Sequence, residues 1–153
     1  MKHFLRESEI PITRETEIND ITEYVEGNVR ESGIENGHVL IQPLHTTVGI
    51  FLNENEPRLF QDLILHLANQ APQIKGKYLH DDISERDCPP DEPLNGHSHI
   101  KAALYSNPSL SLVLYERKLV IGEYQRILFA EFDGPCPRKN KGKRKYLTSI
   151  IGE

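Results

Sequence analysis

The stretch GHVLIQPLHTTVGIFLN, residues 37–53, predicts two strands that meet at a histidine. It is rich in the Val, Ile, Leu and Phe that favour strands, and Pro43 interrupts it just before His45. We predict strands over residues 38–44 and 46–52. Their junction makes His45 a candidate functional residue, because neutral imidazole is the commonest metal ligand and the usual acid–base group near neutral pH.

Apolar residues at helical spacing predict three helices, over residues 17–32, 57–69 and 96–105. Asn19 or Asp20 can cap the first helix, and Gly33 ends it. Pro57 is typical of the first turn of the second helix. The predicted buried face of that helix consists of Leu59, Phe60, Leu63, Ile64 and Leu67. Further strands are predicted over residues 2–13, 110–115, 119–133 and 144–151, and Gly122 marks a point where the third of these could be broken.

The polar segment from residue 75 to residue 95 is predicted to be a long loop. A loop of that length in a compact domain is usually either functional or disordered, and the histidines at its two ends favour a function. Strands and helices that do not alternate as βαβ units predict an α+β fold. The length of 153 residues suits one domain, residues 1–153.

The composition argues against several classes of protein. A formal net charge of −5 is unlike that of a general nucleic-acid binder, which needs a basic face. The apolar runs are far shorter than the ~20 residues that cross a bilayer, and the charged N-terminal segment does not resemble a secretory signal. We therefore expect a cytoplasmic protein without membrane or nucleic-acid partners, in which Cys88 and Cys136 are reduced thiols.

One basic stretch, RKNKGKRK at residues 138–145, departs from this acidic balance. It is typical of a solvated hairpin turn. It is also compatible with a clamp for a phosphate-bearing small molecule, or with a contact to nucleic acid. The sequence leaves these alternatives open.

Three histidines on separate segments are candidates for one shared site: His45, His80 and His99. The long loop could bring the second and third of them together. If Asn95 begins a helix, its side chain shares a face with His99, and His97 points about 200° away from His99. Each histidine alone is also compatible with an ordinary surface or core position, so their convergence is a hypothesis.

Four carboxylates are candidates for the same site. Glu54 follows Asn53 at the end of a predicted strand, and a hairpin could carry both to the end of the sheet that holds the strand junction. Asp62 lies on the polar side of the second helix, while Glu131 and Asp133 alternate along a strand and so point to one face. Such a face can be a solvent-facing edge, or a metal site with open positions for a substrate.

Seven short motifs follow one another in order along almost the whole chain. They are His45-Thr46-Thr47, Asn53-Glu54, Asp62, Tyr78-x-His80, Asn95-Gly96-His97-Ser98-His99, Gly122-Glu123-Tyr124-Gln125 and Glu131-Phe132-Asp133-Gly134-Pro135. Each motif is short, but the ordered set is specific. In this order they resemble the YjbQ family, also called UPF0047 and labelled a family of secondary thiamine-phosphate synthases.

The resemblance implies an α+β fold with mixed β-sheets and about three helices, assembled as a homotrimer with sheets around a threefold axis. It also implies a pocket in which His45, His80 and His99 bind a divalent metal, zinc first, with magnesium or manganese as alternatives. The implied catalytic groups are Glu54, Asp62, Glu131 and Asp133. The implied ligand-binding groups are Asn53, Asn95, Gln125 and Arg138.

The activity implied by the resemblance is the joining of a pyrimidine diphosphate to a thiazole phosphate, so the expected partner is a phosphorylated small molecule. The chain departs from the family pattern at Tyr124, where tryptophan is usual, and at Cys136, where arginine is usual. Losing that arginine removes a bidentate phosphate contact, for which Arg138 or Lys139 could substitute. Metal-assisted hydrolysis and non-catalytic binding of a metal or small molecule are the alternatives.

Overall fold

A computed structural model describes residues 1–135 and 142–153 of the chain. Within them lie three α-helices, eight strands, and two short 3-10 helices at Leu79–Asp81 and Ile83–Glu85. The α-helices are α1 (Thr22–Ser32), α2 (Pro57–Gln70) and α3 (Gly96–Tyr105). The strands are β1 (Lys2–Pro11), β2 (Glu17–Asp20), β3 (Gly37–Pro43), β4 (Val48–Asn53), β5 (Leu110–Tyr115), β6 (Lys118–Leu119), β7 (Arg126–Glu131) and β8 (Lys143–Gly152).

The strands form two sheets. Sheet A has the order β1-β8-β3-β5-β6, and sheet B has the order β2-β7-β4. The predicted α+β class and the three helices are confirmed. The prediction of mixed sheets is wrong for the described residues, where neighbouring strands run in opposite directions in every pair.

The first predicted helix begins later than its pattern indicated. Residues 17–20 form β2, which pairs with β7 so that Glu17 lies opposite Glu131. Asp20 then makes the turn into α1, because its carboxylate accepts hydrogen bonds from the backbone N and the hydroxyl of Thr22, at 2.9 and 2.6 Å. Gly33 ends α1 with a φ of 62°, as predicted.

The main core lies between sheet A, α1 and one face of sheet B. Its apolar residues include Val25, Val39, Ile41, Ile50, Leu114 and Phe129. On the other face of sheet B, Leu67 of α2 and Ala102 of α3 pack against Ala130 and Phe132. Strand β7 is therefore covered on both faces, which explains why its residues after Arg126 are all buried.

Helix α2 confirms one prediction and corrects another. It starts at Pro57, and the Glu56 carboxylate caps it by accepting hydrogen bonds from the backbone N atoms of Arg58 and Leu59. Of its predicted buried face, however, only Leu67 is buried, because α2 lies at the outside of the molecule over sheet B. No helix in the described parts of the chain has the length and apolar character needed to cross a membrane.

The predicted long loop is largely irregular but is tied to its surroundings. The Tyr78 hydroxyl donates to the carbonyl of Pro72 at 2.7 Å. The backbone N of Gly96 donates to the Asp81 carboxylate at 2.8 Å, which joins the first 3-10 helix to the start of α3. The predicted strand over residues 119–133 is in fact two strands, β6 in sheet A and β7 in sheet B.

Candidate functional site

The rings of His80 and His99 lie against each other, with their centroids 4.4 Å apart and their planes tilted by 56°. His80 is in the first 3-10 helix and His99 is in the first turns of α3. Gly96 permits this approach, because a Cβ there would lie 2.7 Å from the Cβ of Tyr78. The loop therefore brings these two predicted site residues together.

His45 lies just before β4 and faces the same region. Burial, followed by the charges of Arg144 and His99, lowers the pKa of its imidazole to about 4. Since the charge of His99 acts on His45, and His99 contacts His80, the structure brings the three predicted histidines into one region of the molecule.

A chain of buried polar groups supports His45 from behind. Its Nδ1 lies 2.9 Å from the hydroxyl of Thr47, and that hydroxyl lies 3.0 Å from Oε1 of Glu131. Arg144, at the start of β8, binds the other carboxylate oxygen of Glu131 through its Nε. Thr47 and Glu131 are fully buried and Arg144 is 2% exposed, so this network has no access to bulk water.

Glu131 supports the site and does not face it. Its Oε1 accepts from the backbone N atoms of Phe132 and Asp133 at 3.0 and 2.7 Å, while Arg144 occupies Oε2. Burial raises the pKa of Glu131, and the charge of Arg144 and these hydrogen bonds oppose the rise. Because both oxygens of Glu131 already accept hydrogen bonds from the protein, Glu131 is poorly placed to act as an acid or base toward a substrate, which is the role expected from the sequence.

Asp133 is the predicted carboxylate that lies beside the histidines. Strand β7 ends at Glu131, so Asp133 lies beyond the strand, where its Oδ2 accepts from Nδ2 of Asn95 at 2.7 Å. Burial and the charge of His80 lower the pKa of His99, and the charge of Asp133 acts in the opposite direction. Asn95 and Asp133 therefore belong to the histidine region.

Three buried polar atoms around His45, His80 and His99 have no hydrogen-bond partner within residues 1–135 and 142–153: Nε2 of His80, Oδ1 of Asn95 and Nη2 of Arg144. Such atoms are rare in folded proteins and indicate an additional water, ion or ligand. Among residues 1–135 and 142–153, no three His, Cys, Asp or Glu side chains are arranged so that they could hold a metal ion together. Metal binding would therefore require these side chains to move closer together.

Other predicted site residues lie elsewhere in the chain. Val48 pairs with Glu131 at one end of sheet B, and Asn53 pairs with Arg126 at the other. Val48 and Asn53 are five positions apart along β4, so these two ends of sheet B are separated by about 17 Å. The expectation that a hairpin carries Asn53 and Glu54 to the histidine end is wrong, because β4 runs straight through between them.

Asp62 and Gln125 make no hydrogen bond or ion pair with His45, His80 or His99. Asp62 is exposed on α2, and its carboxylate forms no hydrogen bond or ion pair with the residues that the structure describes. Gln125 is exposed and accepts from the backbone N of Gly122 at 2.8 Å, closing the turn before β7. The prediction for Arg138, together with those for Cys136 and Lys139, concerns residues outside the described ranges.

His97 points away from His99, as the helical geometry predicted. Its ring is buried, and Nε2 lies 3.2 Å from the carboxylate of Glu15. Two arginines of this region were not predicted from the sequence. Arg86 donates from its Nη1 to the carbonyl of His80 at 2.5 Å, and Arg144 binds Glu131. Arg144 had a usable signal, since it lies at two-residue spacing from the buried Tyr146, Thr148 and Ile150 of β8 and must therefore point to the same inward face.

Fold and site define a class of α+β proteins in which two antiparallel sheets and α3 position a cluster of histidines. The family model described as "UPF0047 protein YjbQ-like" matches residues 6–153. The chain therefore belongs to the YjbQ (UPF0047) family, as the ordered motifs had indicated.

Relatives and solved structures agree with this membership. A UPF0047 protein of Methanothermobacter thermautotrophicus is 33% identical, covering 91% of this chain and 90% of that protein. YugU of Bacillus subtilis is 31% identical, covering 88% and 93%. The crystal structure of a YbjQ-like protein of unknown function from Sulfolobus solfataricus matches with a TM-score of 0.84 at 30% identity over 99% of both chains. A family protein from Clostridium acetobutylicum matches with a TM-score of 0.80 at 32% identity, covering 95% and 99%.

Proposed function

We propose that this protein is a divalent-metal-dependent enzyme acting on small molecules, with His45, His80 and His99 as the metal ligands. The observation that carries the proposal is the buried Nε2 of His80, which has no hydrogen-bond partner in the described part of the chain although the His80 ring lies against that of His99. A buried imidazole nitrogen without a partner is a favourable place for a cation that can accept its lone pair.

The protonation states of the histidines suit metal binding. Metal ligands must be neutral imidazoles, and burial lowers the pKa of both His45 and His99, so that both favour the neutral form at neutral pH. Imidazole donors suit zinc, while Asp133 and the unpartnered Oδ1 of Asn95 are oxygen donors of the kind that magnesium or manganese prefer. A bound divalent ion would supply Lewis acidity toward a phosphoryl or carbonyl oxygen.

The reaction we propose is the one that the family resemblance implies, the joining of a pyrimidine diphosphate to a thiazole phosphate. A phosphorylated substrate would bind through the metal ion, because Arg144 is closed off from solvent even though its Nη2 has no acceptor among the described residues. Asp133 is the carboxylate placed to take or return a proton beside His99. Glu54 follows Asn53, at the far end of β4, and is too distant for that role within one chain.

Metal-assisted hydrolysis is a second candidate, favoured by the presence of Asp133 beside the histidines. It uses the same metal ligands, with Asp133 as the base for a water molecule, and needs only one organic substrate. A panel of phosphate esters and carboxylic esters separates hydrolysis from transfer. Stabilisation by a ligand without turnover of any substrate would indicate a non-catalytic binding protein.

The test of the proposed function is an assay of metal-stripped and metal-reloaded protein with the two thiamine precursors. We expect activity that requires metal and is lost in His45→Ala and His99→Ala. His66→Ala is the matched control, because His66 is exposed on α2 and its ring contacts Tyr105 and not the site histidines. Activity that survives both site substitutions, or that ignores the metal, would overturn the proposal.

We also propose that the protein is a cytoplasmic homotrimer that assembles through the outer face of sheet A. On that face Val113, His38 and Ile151 form one row across three strands, and Leu40 lies in the next row. The three apolar side chains are 50%, 45% and 39% exposed in the order Val113, Ile151 and Leu40. A clustered apolar sheet face of this kind is typical of a surface that another protein chain covers.

The proposed cytoplasmic location is supported by Cys88, because a free thiol suits a reducing compartment.

A further inference from the structure

The hydroxyl of Thr47 lies between the imidazole of His45 and the carboxylate of Glu131. We infer that Thr47 fixes the tautomer of His45, with the proton on Nδ1 and the lone pair on Nε2. Thr47 is thereby a positioning residue for the histidine site. The tautomer itself is independent of the proposed metal, and only the use made of Nε2 rests on the proposed function.

Glu131 decides which atoms donate and which accept in the hydrogen bonds from His45 through Thr47. An ionised carboxylate has acceptors only, and three N–H groups already point to it, from Arg144, Phe132 and Asp133. The contact of 3.0 Å between the Thr47 hydroxyl and Oε1 of Glu131 is therefore a hydrogen bond that the hydroxyl donates.

The consequence for His45 follows from the single hydrogen of a hydroxyl group. Because Thr47 gives that hydrogen to Glu131, its oxygen is free to accept, and Nδ1 of His45 lies 2.9 Å away. A protonated Nδ1 can donate there, and Nε2 is then left without a proton. The backbone N–H of Thr47 also donates to Nδ1, at 3.3 Å, and that hydrogen bond favours the opposite tautomer. The hydroxyl contact with Nδ1 is the shorter of the two, at 2.9 Å, and therefore outweighs it.

Burial of Thr47 and Glu131 favours one tautomer of His45 over the other. Thr47 and Glu131 are fully buried, so water cannot replace either partner. The register of sheet B fixes their separation, because Val48 pairs with Glu131 and the backbone N of Phe132 donates to the carbonyl of Thr47 at 3.1 Å. Which nitrogen of a histidine is free is set by the hydrogen bond that the other nitrogen makes, and here that bond is held by two strands.

The test is nitrogen-15 NMR of histidine-labelled protein without metal at neutral pH, where the two neutral tautomers give distinct ring-nitrogen shifts. Wild-type His45 should show a protonated Nδ1. In Thr47→Val the ratio of tautomers should shift roughly fivefold toward protonated Nε2, the size of one net hydrogen bond. Thr47→Ser keeps the hydroxyl and should restore the wild-type pattern.

Thr148→Val is the matched control, because Thr148 is equally buried and accepts a hydrogen bond from Asn28 far from any histidine. It should lose stability without changing the His45 spectrum. A protonated Nε2 in the wild-type protein overturns the inference whether or not any variant folds. An unchanged tautomer in a folded Thr47→Val overturns it as well. Failure of metal binding would count against the proposed function and leave the tautomer result standing.

Discussion

His80 and His99 come from a loop and a helix, yet their rings approach to 4.4 Å between centroids. The loop is anchored beside α3 by the hydrogen bond from the backbone N of Gly96 to the carboxylate of Asp81. That anchor and the absence of a side chain at Gly96 set the distance between the two rings. Position 96 is therefore where the geometry of the site can be changed without touching a histidine.

Gly96→Ala should separate His80 from His99. The new Cβ would lie 2.7 Å from the Cβ of Tyr78 and 3.1 Å from Oδ1 of Asp81, so the loop must move outward. We expect a loss of about 1–3 kcal/mol in the free energy of unfolding. If the histidines bind metal, its affinity should fall about 10–100-fold, as for other changes that displace ligands indirectly. Urea unfolding and metal titration measure the two effects.

Gly27→Ala is the control for a glycine in a helix. A Cβ there meets only Nη2 of Arg30, at 3.8 Å, so the substitution should be neutral or stabilising and should leave metal affinity unchanged. Equal metal affinity in Gly96→Ala and the wild-type protein would show that the approach of the loop to α3 does not position His80.

The stability of the metal-free protein should fall as the pH decreases from about 7 to about 5. The pKa of His45 is lowered from 6.5 to about 4 on folding, so between these values the unfolded chain binds a proton that the folded protein does not. The stabilisation is complete above the unfolded pKa and is lost as the pH falls toward the folded one. The part due to His45 should be on the order of 1–2 kcal/mol by about pH 5.

His45→Gln removes this titration, so its unfolding free energy should depend less on pH than that of the wild-type protein. Leu65→Gln, an exposed change on α2 that removes no titratable group, should keep the pH dependence of the wild-type protein. Parallel curves for His45→Gln and the wild-type protein would contradict the lowered pKa of His45.

The buried pair of Glu131 and Arg144 should show strong coupling in a double-mutant cycle. Glu131→Gln or Arg144→Met alone leaves a buried group without its charged partner and should cost about 3–5 kcal/mol. The double variant should be less destabilised than the sum of the two by about 1–3 kcal/mol. The exposed pair of Glu35 and Arg117 is the control, with an expected coupling below about 1 kcal/mol. Additive effects at Glu131 and Arg144 would argue against the pair as a unit.

The proposed trimer predicts that a charge on the outer face of sheet A disrupts assembly. Val113→Lys places a charge at one end of the row, beside His38, and should convert the trimer to monomers in sedimentation-velocity experiments. Leu65→Lys is the control, because Leu65 is 62% exposed on α2 at a distance from sheet A. A monomeric wild-type protein, or a trimer that persists in Val113→Lys, would contradict the proposed interface.

Local patterns predicted the elements whose signals are local. The bounds of α3 and β5 were predicted from spacing alone, and Pro57 and Gly33 marked the ends of helices correctly. Strand β2 was missed because its four residues fit the helical pattern that continues into α1. They become a strand through pairing with β7, a contact between distant parts of the chain that local spacing does not contain.

Sequence motifs and helical spacing predicted which histidines belong to the candidate site. Spacing separated His97 from His99, and the loop allowed His80 to return to α3. The placement of Asn53 was wrong because a straight strand carries its two ends apart, whereas the sequence is also compatible with a hairpin. Alternation along β8 predicts that Arg144 points inward, but it does not predict the partner. The ion pair with Glu131 depends on how β8 pairs within sheet A and packs against sheet B, which are contacts between distant parts of the chain.

The central claim is that three histidines hold one divalent metal ion. The most direct measurement is elemental analysis of protein prepared without a histidine tag, reloaded and then dialysed, for the wild type and for His80→Ala. We predict one equivalent of metal per chain in the wild-type protein and its loss in His80→Ala, with His66→Ala retaining it. No retained metal in the wild-type protein, or the same content in His80→Ala, would contradict the claim.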